Sequence, residues 1–371
     1  MYDVTIIGAG LAGLQVARLL ARGGASVLLA DARHSVTDCV RTTGIFVRKT
    51  FEDFSHLDRF LGPPIRTIAV HSPAGQTIDL ASGHDEFRVG RMKALYESML
   101  QQAVAAGARW WPATTYRALR QHEVIFRDGR SVKTRFIVGA DGAQSRVARD
   151  LGLDENHEWI AGVENVYPSA SPSAPRFDCW IDPRFAPGYL AWIVDDGEEM
   201  HAGVGGDRNR FDPAAALAAF ERRMRGEGRI VAANPLERRG GFIPVNGVLR
   251  RIACERGLLV GDAAGAVSPL TAGGLDACMR LSEHAAAVLL GALQHGRPLE
   301  AYDGSALRSR FASRIGMRRL FDLATRSRLA IEAGFAAART PIARRLVRHV
   351  FFGRSSFPDA RTASVIEDGV A

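Results

Sequence analysis

The first thirty residues constrain the fold of this chain more than any other segment. The apolar run YDVTIIG (2–8) predicts a buried strand, and LAGLQVARLLARGGA (11–25) has apolar residues at helical spacing. The run ASVLLAD (25–31) predicts a second buried strand. A strand, a glycine-containing turn, a helix and a strand within this length are typical of the first unit of a doubly wound α/β domain.

The turn between the first strand and the helix reads Gly-Ala-Gly-Leu-Ala-Gly, which matches GxGxxG. Gly8 allows the tight turn, Gly10 allows a pyrophosphate to approach the backbone, and Gly13 allows close packing of helix and strand. Ala12 lies in the same turn. Asp31, at the end of the second strand, is placed to accept hydrogen bonds from an adenosine ribose. We therefore predict a dinucleotide site at this turn.

GxGxxG alone does not distinguish NAD from FAD, but two later segments favour FAD. In FIVGADG (136–142) a buried strand runs into an Asp-Gly turn at Asp141 and Gly142. In GLLVGDAAGAV (257–267) another buried strand runs into Gly261 and Asp262. The carboxylate of Asp262 is suited to the hydroxyls of a flavin ribityl chain.

A long helix is predicted to begin at Gly273, Gly274 and Leu275, directly after the Gly-Asp segment. The positive end of its dipole would point at the pyrimidine edge of a flavin ring. A positive dipole there stabilises the anion that forms when the flavin is reduced.

These segments together resemble the flavoprotein superfamily that includes aromatic hydroxylases and geranylgeranyl reductases. The resemblance covers roughly residues 2–300 and rests on the order of the GxGxxG, Asp-Gly and Gly-Asp motifs. It implies that Arg91, at the start of the helix predicted over 91–107, lies near the FAD. It also implies that the Asp-Gly turn contributes to both FAD and NAD(P)H binding.

Within that superfamily, the chain is more similar to the geranylgeranyl reductase branch. PGYLAWIV (187–194), HAGVG (201–205) and GGFIP (240–244) resemble segments of that branch. The resemblance implies that Tyr189 and Trp192 shape a substrate cavity. A role in the core of a sheet is the alternative for both.

The resemblance further implies that Cys39 contributes to catalysis and to flavin binding from a loop beside the ring; simple burial is the alternative. This loop reads Cys-Val-Arg-Thr-Thr-Gly and lacks glycines that the family has. The family's Tyr-x-Trp-x-Phe-Pro pattern is also altered, so a geranylgeranyl lipid does not follow as the substrate. The Trp-x-Trp-x-Ile-Pro pattern of flavin halogenases is absent from the sequence.

We predict an α/β fold with a Rossmann-like FAD-binding domain built from discontinuous segments, an antiparallel β-sheet substrate domain and a helical C-terminus. The FAD-binding domain is assigned to residues 1–64, 86–150 and 240–300. The substrate domain takes residues 65–85 and 151–239, where strands are broken by Pro and Gly. Residues 301–371 form the C-terminal helical region.

Composition excludes several classes of protein. Four cysteines stand far apart without CxxC spacing, so neither a metal site nor a disulfide framework is expected. No run of about 18 apolar residues predicts a membrane span. A strand that starts at Tyr2 leaves no room for a signal peptide, which favours a cytoplasmic enzyme. The net charge of +8 accompanies no nucleic-acid-binding motif, so no nucleic-acid partner is expected.

Most of the excess positive charge lies in the C-terminal region. TPIARRLVRHVFFG (340–353) places Ile342, Leu346, Val350 and Phe351 roughly along one helical face, with the arginines largely elsewhere. This pattern predicts weak peripheral contact with an anionic membrane, at its inner face. Packing of the apolar stripe on the substrate domain is the alternative.

The leading hypothesis is a FAD-dependent oxidoreductase that acts on a hydrophobic small molecule by hydride transfer at flavin N5, reducing a C=C bond or oxidising in reverse. NAD(P)H or another reductant would supply electrons transiently, because the sequence holds no second GxGxxG. Two alternatives stay open. One is an NAD(P)H- and O2-dependent flavin monooxygenase, and the other is a non-redox flavin-dependent isomerase or cyclase.

Overall fold

A computed structural model describes residues 1–169 and 174–353 of the chain, and the C-terminal residues 354–371 of the predicted helical region lie outside it. Strands and α-helices are numbered here in chain order. The described residues contain two large sheets, a small third sheet between them in the chain, and helices that follow the second sheet. This is the predicted fold class, an α/β protein with a discontinuous Rossmann-like sheet, a largely antiparallel sheet and C-terminal helices.

The first sheet collects segments from three parts of the chain. Its order is β17-β18-β11-β1-β2-β8, with β10 and β9 attached to β11 as an antiparallel extension. The strands are β1 (Tyr2–Ile7), β2 (Val27–Ala30), β8 (Arg109–Trp111), β9 (Tyr116–Arg120), β10 (Glu123–Phe126), β11 (Ser131–Gly139), β17 (Ala253–Cys254) and β18 (Gly257–Leu259). The pairs that join β18, β11, β1, β2 and β8 are all parallel.

Parallel pairing decides where the glycine motifs meet. Since β1, β11 and β18 run in the same direction, the residues that follow each strand lie at one edge of the sheet. Ile7 pairs with Gly139, and Gly139 pairs with Leu259, so all three strands end level with one another. The GxGxxG, Asp-Gly and Gly-Asp turns therefore converge.

Three helices cover this sheet: α1 (Leu11–Arg22), α3 (Met92–Ala105) and α6 (Leu275–His295). Helix α1 packs against both others through a face that is apolar and buried. The short helices α2 (Arg48–Asp53) and α4 (Arg146–Leu151) lie in the connections. The small sheet consists of β3 (Ile45–Val47), β4 (Leu61–Ile65) and β7 (Phe87–Gly90).

The second sheet forms the opposite part of the structure. Its order is β16-β12-β15-β14-β13-β5-β6, and its pairs are antiparallel except for β13 with β5. The strands are β5 (Thr67–His71), β6 (Thr77–Ala81), β12 (Trp159–Pro168), β13 (Arg176–Trp180), β14 (Ala191–Asp195), β15 (Glu199–Asp207) and β16 (Glu237–Pro244). The pairing keeps β16 in this sheet as far as Pro244. The predicted domain boundary before residue 240 falls within that strand and stays a prediction.

Helix α5 (Pro213–Gly226) covers one face of the second sheet, against β12 and β15. The C-terminal helices are α7 (Ser305–Ala324), α8 (Arg328–Ala338) and α9 (Pro341–Phe352). Helix α8 contacts β6 and α9. Within residues 1–169 and 174–353, none of the helices combines the length and hydropathy that a bilayer span requires.

Candidate functional site

A cavity of about 1070 Å³ lies between the two large sheets and the C-terminal helices. Ligand pockets in proteins are typically about 300–1,000 Å³, so this one is at the large end of that range. The predicted site residues that line it are Gly8, Gly10, Ala12, Asp31, Cys39, Asp141, Gly142, Tyr189, Trp192, Gly261, Asp262, Gly273, Gly274 and Leu275. Gly13 and Arg91 are not among the lining residues.

The three glycines of the first turn have different surroundings. A Cβ added at Gly8 would lie 2.2 Å from the carbonyl oxygen of Ala140, and the φ of Gly8 is +103°. A Cβ added at Gly13 would lie 1.9 Å from the carbonyl oxygen of Gly8, so this glycine permits the packing of α1 on β1. A Cβ added at Gly10 would meet nothing within 4 Å and would occupy the cavity itself. The opening at Gly10 fits an approaching pyrophosphate.

Asp31 lies at the same edge of the sheet, after β2. Its carboxylate accepts hydrogen bonds from the Ala9 N–H at 2.6 Å and from the Arg33 guanidinium at 2.8 and 2.9 Å. Burial alone would raise the pKa of Asp31, but the Arg33 guanidinium and the backbone donors lower it below its usual value. The carboxylate is thus held ionised at the cavity wall beside the turn, where an acceptor for ribose hydroxyls is needed.

Asp141 has a mainly structural set of partners. Its carboxylate accepts from the Ser145 hydroxyl at 2.6 Å and from the backbone N–H groups of Arg146 and Val147 at 2.7 and 3.1 Å. These bonds fix the turn before α4. Asn156 then joins this turn to the Gly-Asp segment, because its amide donates to the carbonyls of Ala143 and Asp262 at 3.0 and 2.8 Å.

Asp262 contrasts with the other two acids. Its carboxylate lines the cavity, and within the described part of the chain no hydrogen bond to its side chain is found. Desolvation raises the pKa of Asp262 to about 6. An acid held in this state lacks the donors that would stabilise its charge, and hydroxyl groups of a bound cofactor would supply them.

The N-terminus of α6 faces the same cavity. Gly273 and Gly274 line it, and neither backbone N–H has a hydrogen-bond partner among the residues that the structure describes. Free N–H groups at the start of a helix of 21 residues form a site for negative charge. Together with the opening at Gly10 and the Asp262 carboxylate, they fit the pyrophosphate, ribityl and pyrimidine groups of a flavin adenine dinucleotide.

Arg91 points away from this arrangement. Its Nη1 lies 2.8 Å from Asp196 Oδ2, and its Nη2 lies 2.5 Å from Glu198 Oε2. A third carboxylate, that of Glu199, is 3.6 Å from Nη1. These acids at the turn between β14 and β15 hold the guanidinium, which contributes no cavity-lining surface. The role near FAD that the resemblance implied for Arg91 is not supported by this position.

Cys39 and the loop that follows it form another wall of the cavity. Cys39 is exposed and has a φ of +55°, which is unusual for a residue with a side chain. Thr43 and Gly44 also line the cavity. The side chain of Thr43 reaches the second sheet, where its hydroxyl donates to Glu164 Oε2 at 2.6 Å.

Tyr189 and Trp192 both line the cavity and pack in the second sheet, and a role in shaping a substrate cavity stays a prediction for both. The Tyr189 hydroxyl donates to the carbonyl of Thr271 at 2.6 Å, just before the N-terminus of α6. The Trp192 indole N–H donates to Glu164 Oε2 at 3.2 Å. Their rings lie over Gly205 and Gly203, where an added Cβ would be 2.8 Å from Tyr189 and 2.3 Å from Trp192.

The sequence reasoning missed several polar residues of the cavity: Glu164, Arg239, Arg310 and Arg314. Arg310 donates to Asp276 at 2.8 Å, and Arg314 donates to Ser268 at 3.0 Å. Their spacing of four along α7 was a usable signal, because it places both on one helix face. Glu164 gave a weaker signal as the one acidic residue in the apolar strand WIAGVENVY.

The far end of the cavity is apolar and belongs to the C-terminal helices. The lining residues there include Met317, Leu320, Phe321, Ala324, Ile331, Phe335, Val347, Val350 and Phe351. A polar region around Asp262 and the α6 N-terminus is thus continuous with a long apolar region. The described ranges hold no group of three or more His, Cys, Asp or Glu side chains arranged to bind an ion.

This combination of sheet topology, glycine turns and unpaired polar groups defines a flavoprotein with a dinucleotide site and an adjoining apolar cavity. The model of the FAD-binding domain family matches residues 1–315, and the chain belongs to that family of FAD-dependent oxidoreductases. The family assignment supports FAD as the cofactor.

The chain is also similar to digeranylgeranylglycerophospholipid reductases. It is 29% identical over 331 residues to digeranylgeranylglycerophospholipid reductase 2 of Methanothermobacter thermautotrophicus, covering 85% of this chain and 83% of that protein. It is 30% identical over 312 residues to digeranylgeranylglycerophospholipid reductase 1 of Methanopyrus kandleri, covering 79% and 81%. These values show distant homology to such reductases.

Solved structures share the fold. A geranylgeranyl bacteriochlorophyll reductase-like protein of Thermoplasma acidophilum superimposes with a TM-score of 0.80 at 18% identity, covering 95% of this chain and 97% of that one. PqsL of Pseudomonas aeruginosa, titled "a probable FAD-dependent monooxygenase", gives a TM-score of 0.68 at 20% identity, covering 91% and 99%. Both likenesses concern the fold.

Replacing Gly10 by valine is expected to abolish FAD binding and leave the fold intact. The new side chain enters the cavity, where it meets no protein atom but fills the space of a pyrophosphate. Gly13→Ala is the matched control, because its Cβ collides with the Gly8 carbonyl and should destabilise the protein by about 1–3 kcal/mol or more. Bound FAD is measured by absorbance and unfolding by circular dichroism. Normal FAD content in Gly10→Val would refute the assignment.

Asp262→Asn is expected to weaken FAD binding and to stabilise the apoprotein. Loss of a charge-assisted hydrogen bond costs about 1.5–3 kcal/mol, roughly tenfold or more in Kd. When the apoprotein folds, burial raises the pKa of the Asp262 carboxyl from 3.8 to about 6. The free energy of unfolding of the apoprotein therefore decreases as the pH rises through that range. Because asparagine carries no charge, the Asp262→Asn substitution removes a desolvation cost on the order of 3 kcal/mol from the folded apoprotein at neutral pH.

Isothermal titration with FAD and thermal unfolding of both apoproteins between pH 4 and 7 measure the two effects. The wild-type apoprotein should lose stability relative to Asp262→Asn as pH rises through this window. An unchanged FAD Kd, or parallel stability curves for the two proteins, would contradict the role given to this carboxylate.

Proposed function

We propose that this protein is a FAD-dependent reductase that saturates a C=C bond of a long apolar, prenyl-type substrate. The observation that carries the proposal is the continuity of the cavity, from the polar groups that fit a flavin to the apolar surface of α7, α8 and α9. An apolar surface contributed by three successive helices suits an apolar substrate. The names of the distant relatives, which are reductases of geranylgeranyl compounds, support the same substrate class.

Different residues of the cavity would bind the cofactor and position the substrate. Asp31, Asp262 and the N–H groups of Gly273 and Gly274 would hold the FAD, which supplies hydride chemistry when bound. Tyr189 and Trp192 would form the wall between the polar and apolar parts of the cavity. The apolar surface would position the substrate and exclude water.

NAD(P)H is proposed as the transient electron donor. The site at the GxGxxG turn would hold one adenine dinucleotide, the FAD. The Asp-Gly turn at Asp141 and Gly142 lies beside that site on the cavity wall. A donor that binds briefly from the solvent side needs no second nucleotide domain. Stopped-flow mixing of the oxidised protein with NADPH and with NADH tests this point through the loss of flavin absorbance.

The reaction is tested by anaerobic reoxidation. Protein reduced with dithionite should regain oxidised flavin absorbance when geranylgeranyl diphosphate or digeranylgeranylglycerophospholipid is added without oxygen. Mass spectrometry should then find product heavier by two hydrogens for each C=C bond reduced. Saturated analogues of the same lipids serve as controls, since they offer no double bond.

A monooxygenase is the second candidate, because the fold of PqsL is shared over nearly all of this chain. It predicts the opposite result: no anaerobic reoxidation, and oxygen consumption in equal amount to a product heavier by one oxygen. Turnover without net consumption of reductant would instead favour a non-redox isomerase or cyclase.

We also propose that the C-terminal helices contact the membrane that supplies such a substrate. Of the helical face predicted for α9, Val350 and Phe351 line the cavity, while Ile342 and Leu346 are 82% and 58% exposed. Arg344 and Arg348 donate to backbone carbonyls of β6 and so attach α9 to the second sheet. The predicted division between an apolar stripe and a separate basic face is therefore altered, and exposed apolar side chains carry the proposed contact.

Removal of those side chains should abolish vesicle binding. Wild-type protein is expected to co-sediment with vesicles that contain anionic lipid, and the double variant Ile342→Ser/Leu346→Ser should remain in solution. Val104→Ser, on exposed α3 surface away from the C-terminal helices, is the matched control and should bind like wild type. Binding of the double variant at the wild-type level would refute the contact.

A further inference from the structure

A buried carboxylate stands at the wall of the cavity in the second sheet. Glu164, on β12, is 3% exposed and lines the cavity. Its Oε2 accepts from Thr43 Oγ1 at 2.6 Å and from Trp192 Nε1 at 3.2 Å. Burying a carboxylate is costly unless partners stabilise it, and Glu164 has such partners at the cavity wall.

The other oxygen of Glu164 points to a buried histidine. Glu164 Oε1 lies 3.4 Å from Nδ1 of His201, on β15, and His201 is 0% exposed. Val166 pairs with His201 and Glu164 pairs with Gly203 in the antiparallel register, so the two side chains lie diagonally on one face of the sheet. A hydrogen bond between carboxylate and imidazole is thereby built into the pairing of two central strands.

The second nitrogen of His201 points toward the protein surface. Its Nε2 lies 3.6 Å from Glu199 Oε2 and has no hydrogen-bond partner in the described residues. The side chain of Glu199 is 34% exposed. The three groups thus form a line that begins at solvent, passes through a fully buried imidazole and ends at the cavity.

A glycine makes this arrangement possible. A Cβ at position 203 would lie 2.3 Å from the Trp192 ring and 2.8 Å from the Cβ of Glu164. The bare backbone of Gly203 therefore lets the indole cross the strand and reach the carboxylate. The glycine-rich strand AGVGG (202–206) is explained in part by this requirement.

Cationic groups surround the line and offset its negative charge. Arg239 Nη1, on β16, is 3.8 Å from Glu164 Oε1, and Arg91 Nη1 is 3.6 Å from Glu199 Oε2. Arg239 also pairs with Glu237 at 3.0 Å, and Lys93 pairs with the same carboxylate at 3.1 Å.

We propose that Glu164, His201 and Glu199 form a proton path that supplies the acid for reduction in the cavity, with Glu164 as the donor that faces the substrate. The proposal rests on the proposed reductase function. Reduction of a C=C bond requires one hydride and one proton, and the hydride comes from FAD that NAD(P)H has reduced. None of the groups described so far accounts for the proton.

The transfer balances with one solvent proton per turnover. Glu164 starts as a carboxylate beside the His201 imidazolium. The Nδ1 proton of His201 moves to Glu164 Oε1, and Glu164 passes a proton to the carbon opposite the hydride, which leaves the carboxylate again and a neutral imidazole that keeps its proton on Nε2. The ring then turns by 180° and takes a solvent proton from Glu199 on the bare nitrogen that now faces it, and the set returns to its starting state.

The protonation states agree with this sequence of transfers. Desolvation would lower the pKa of His201, but Glu164 and Glu199 raise it above its usual value. Desolvation would raise the pKa of Glu164, but His201, Thr43 and Arg239 lower it. The resting pair is therefore a carboxylate and an imidazolium, with the mobile proton stored on His201.

The first test is a titration that needs no substrate. With ¹⁵N-labelled histidine, the His201 signals are assigned by their loss in His201→Asn. Wild-type His201 should titrate above pH 6.5, the ordinary value, and Glu164→Gln should lower that midpoint. A His201 that stays neutral from pH 5 to 8, or that ignores Glu164→Gln, overturns the proposal whatever the substrate is.

The second test measures proton delivery in the reduced protein with geranylgeranyl diphosphate as the probe. General acids typically contribute about 10²–10⁴-fold, so Glu164→Gln should slow anaerobic reoxidation by at least about 100-fold at unchanged FAD Kd. Glu199→Gln should slow it less, and should shift the pH profile. Glu198→Gln is the matched control, because this neighbouring acid pairs with Arg91 and lies off the line.

Rescue separates proton transfer from a purely structural role. Formate added to Glu164→Ala should restore part of the rate, with the new C–H bond carrying deuterium when the reaction runs in D2O. Wild-type rates in Glu164→Gln, or equal losses in Glu198→Gln and Glu199→Gln, would overturn the path. Failure of wild-type protein to reduce any prenyl probe would count against the reductase function, while the histidine titration would still decide the pairing.

Discussion

The close approach of α1 to β1 and β11 is the constraint on which the rest of the structure depends. An added Cβ at Gly8 or Gly13 would lie 2.2 or 1.9 Å from a carbonyl oxygen, so backbone contacts backbone at both positions. This contact sets α1 directly behind the turn and directs its N-terminus into the cavity. The parallel pairing of β1, β11 and β18 then brings the Asp-Gly and Gly-Asp turns to the same place. The absence of a side chain at Gly8 and Gly13 thereby allows segments more than 200 residues apart in the chain to meet at one site.

The acids near the cavity differ in what stabilises their charge, and this difference indicates their roles. Asp31 is neutralised by Arg33, and Asp141 is fixed by backbone donors at the start of α4. Glu164 is paired with His201 in the second sheet. Asp262 alone among these four has no such partner in the described structure, and its pKa is raised accordingly. Burial raises the pKa of Asp141 as well, in spite of its donors, whereas the pKa values of Asp31 and Glu164 are lowered by their partners. Asp262 is left to be stabilised by what binds.

The sequence predicted the fold class and the glycine and aspartate turns that lie at the cavity wall, because those depend on local patterns. Gly8, Gly10 and Asp262 sit directly after buried strands, and the strand periodicity and turn residues are visible in short windows. The place near FAD given to Arg91 stays a prediction, and its partners could not be foreseen, since the acids that hold it come from a turn about a hundred residues further on. Glu164 was missed for the same reason, because its surroundings depend on which strands pair with one another in the folded sheet.

The placement of polar and apolar surface in one cavity also orients the proposed reaction. An apolar chain gains about 25 cal/mol for each Å² removed from water, so it lies most favourably against α7, α8 and α9. Thr43, Trp192 and Glu164 line another part of the same cavity. A buried proton path suits this geometry, because water that entered with the proton would weaken both the apolar contact and the electrostatics of the site. Excluding bulk water and still supplying a proton are compatible when the proton travels through paired side chains.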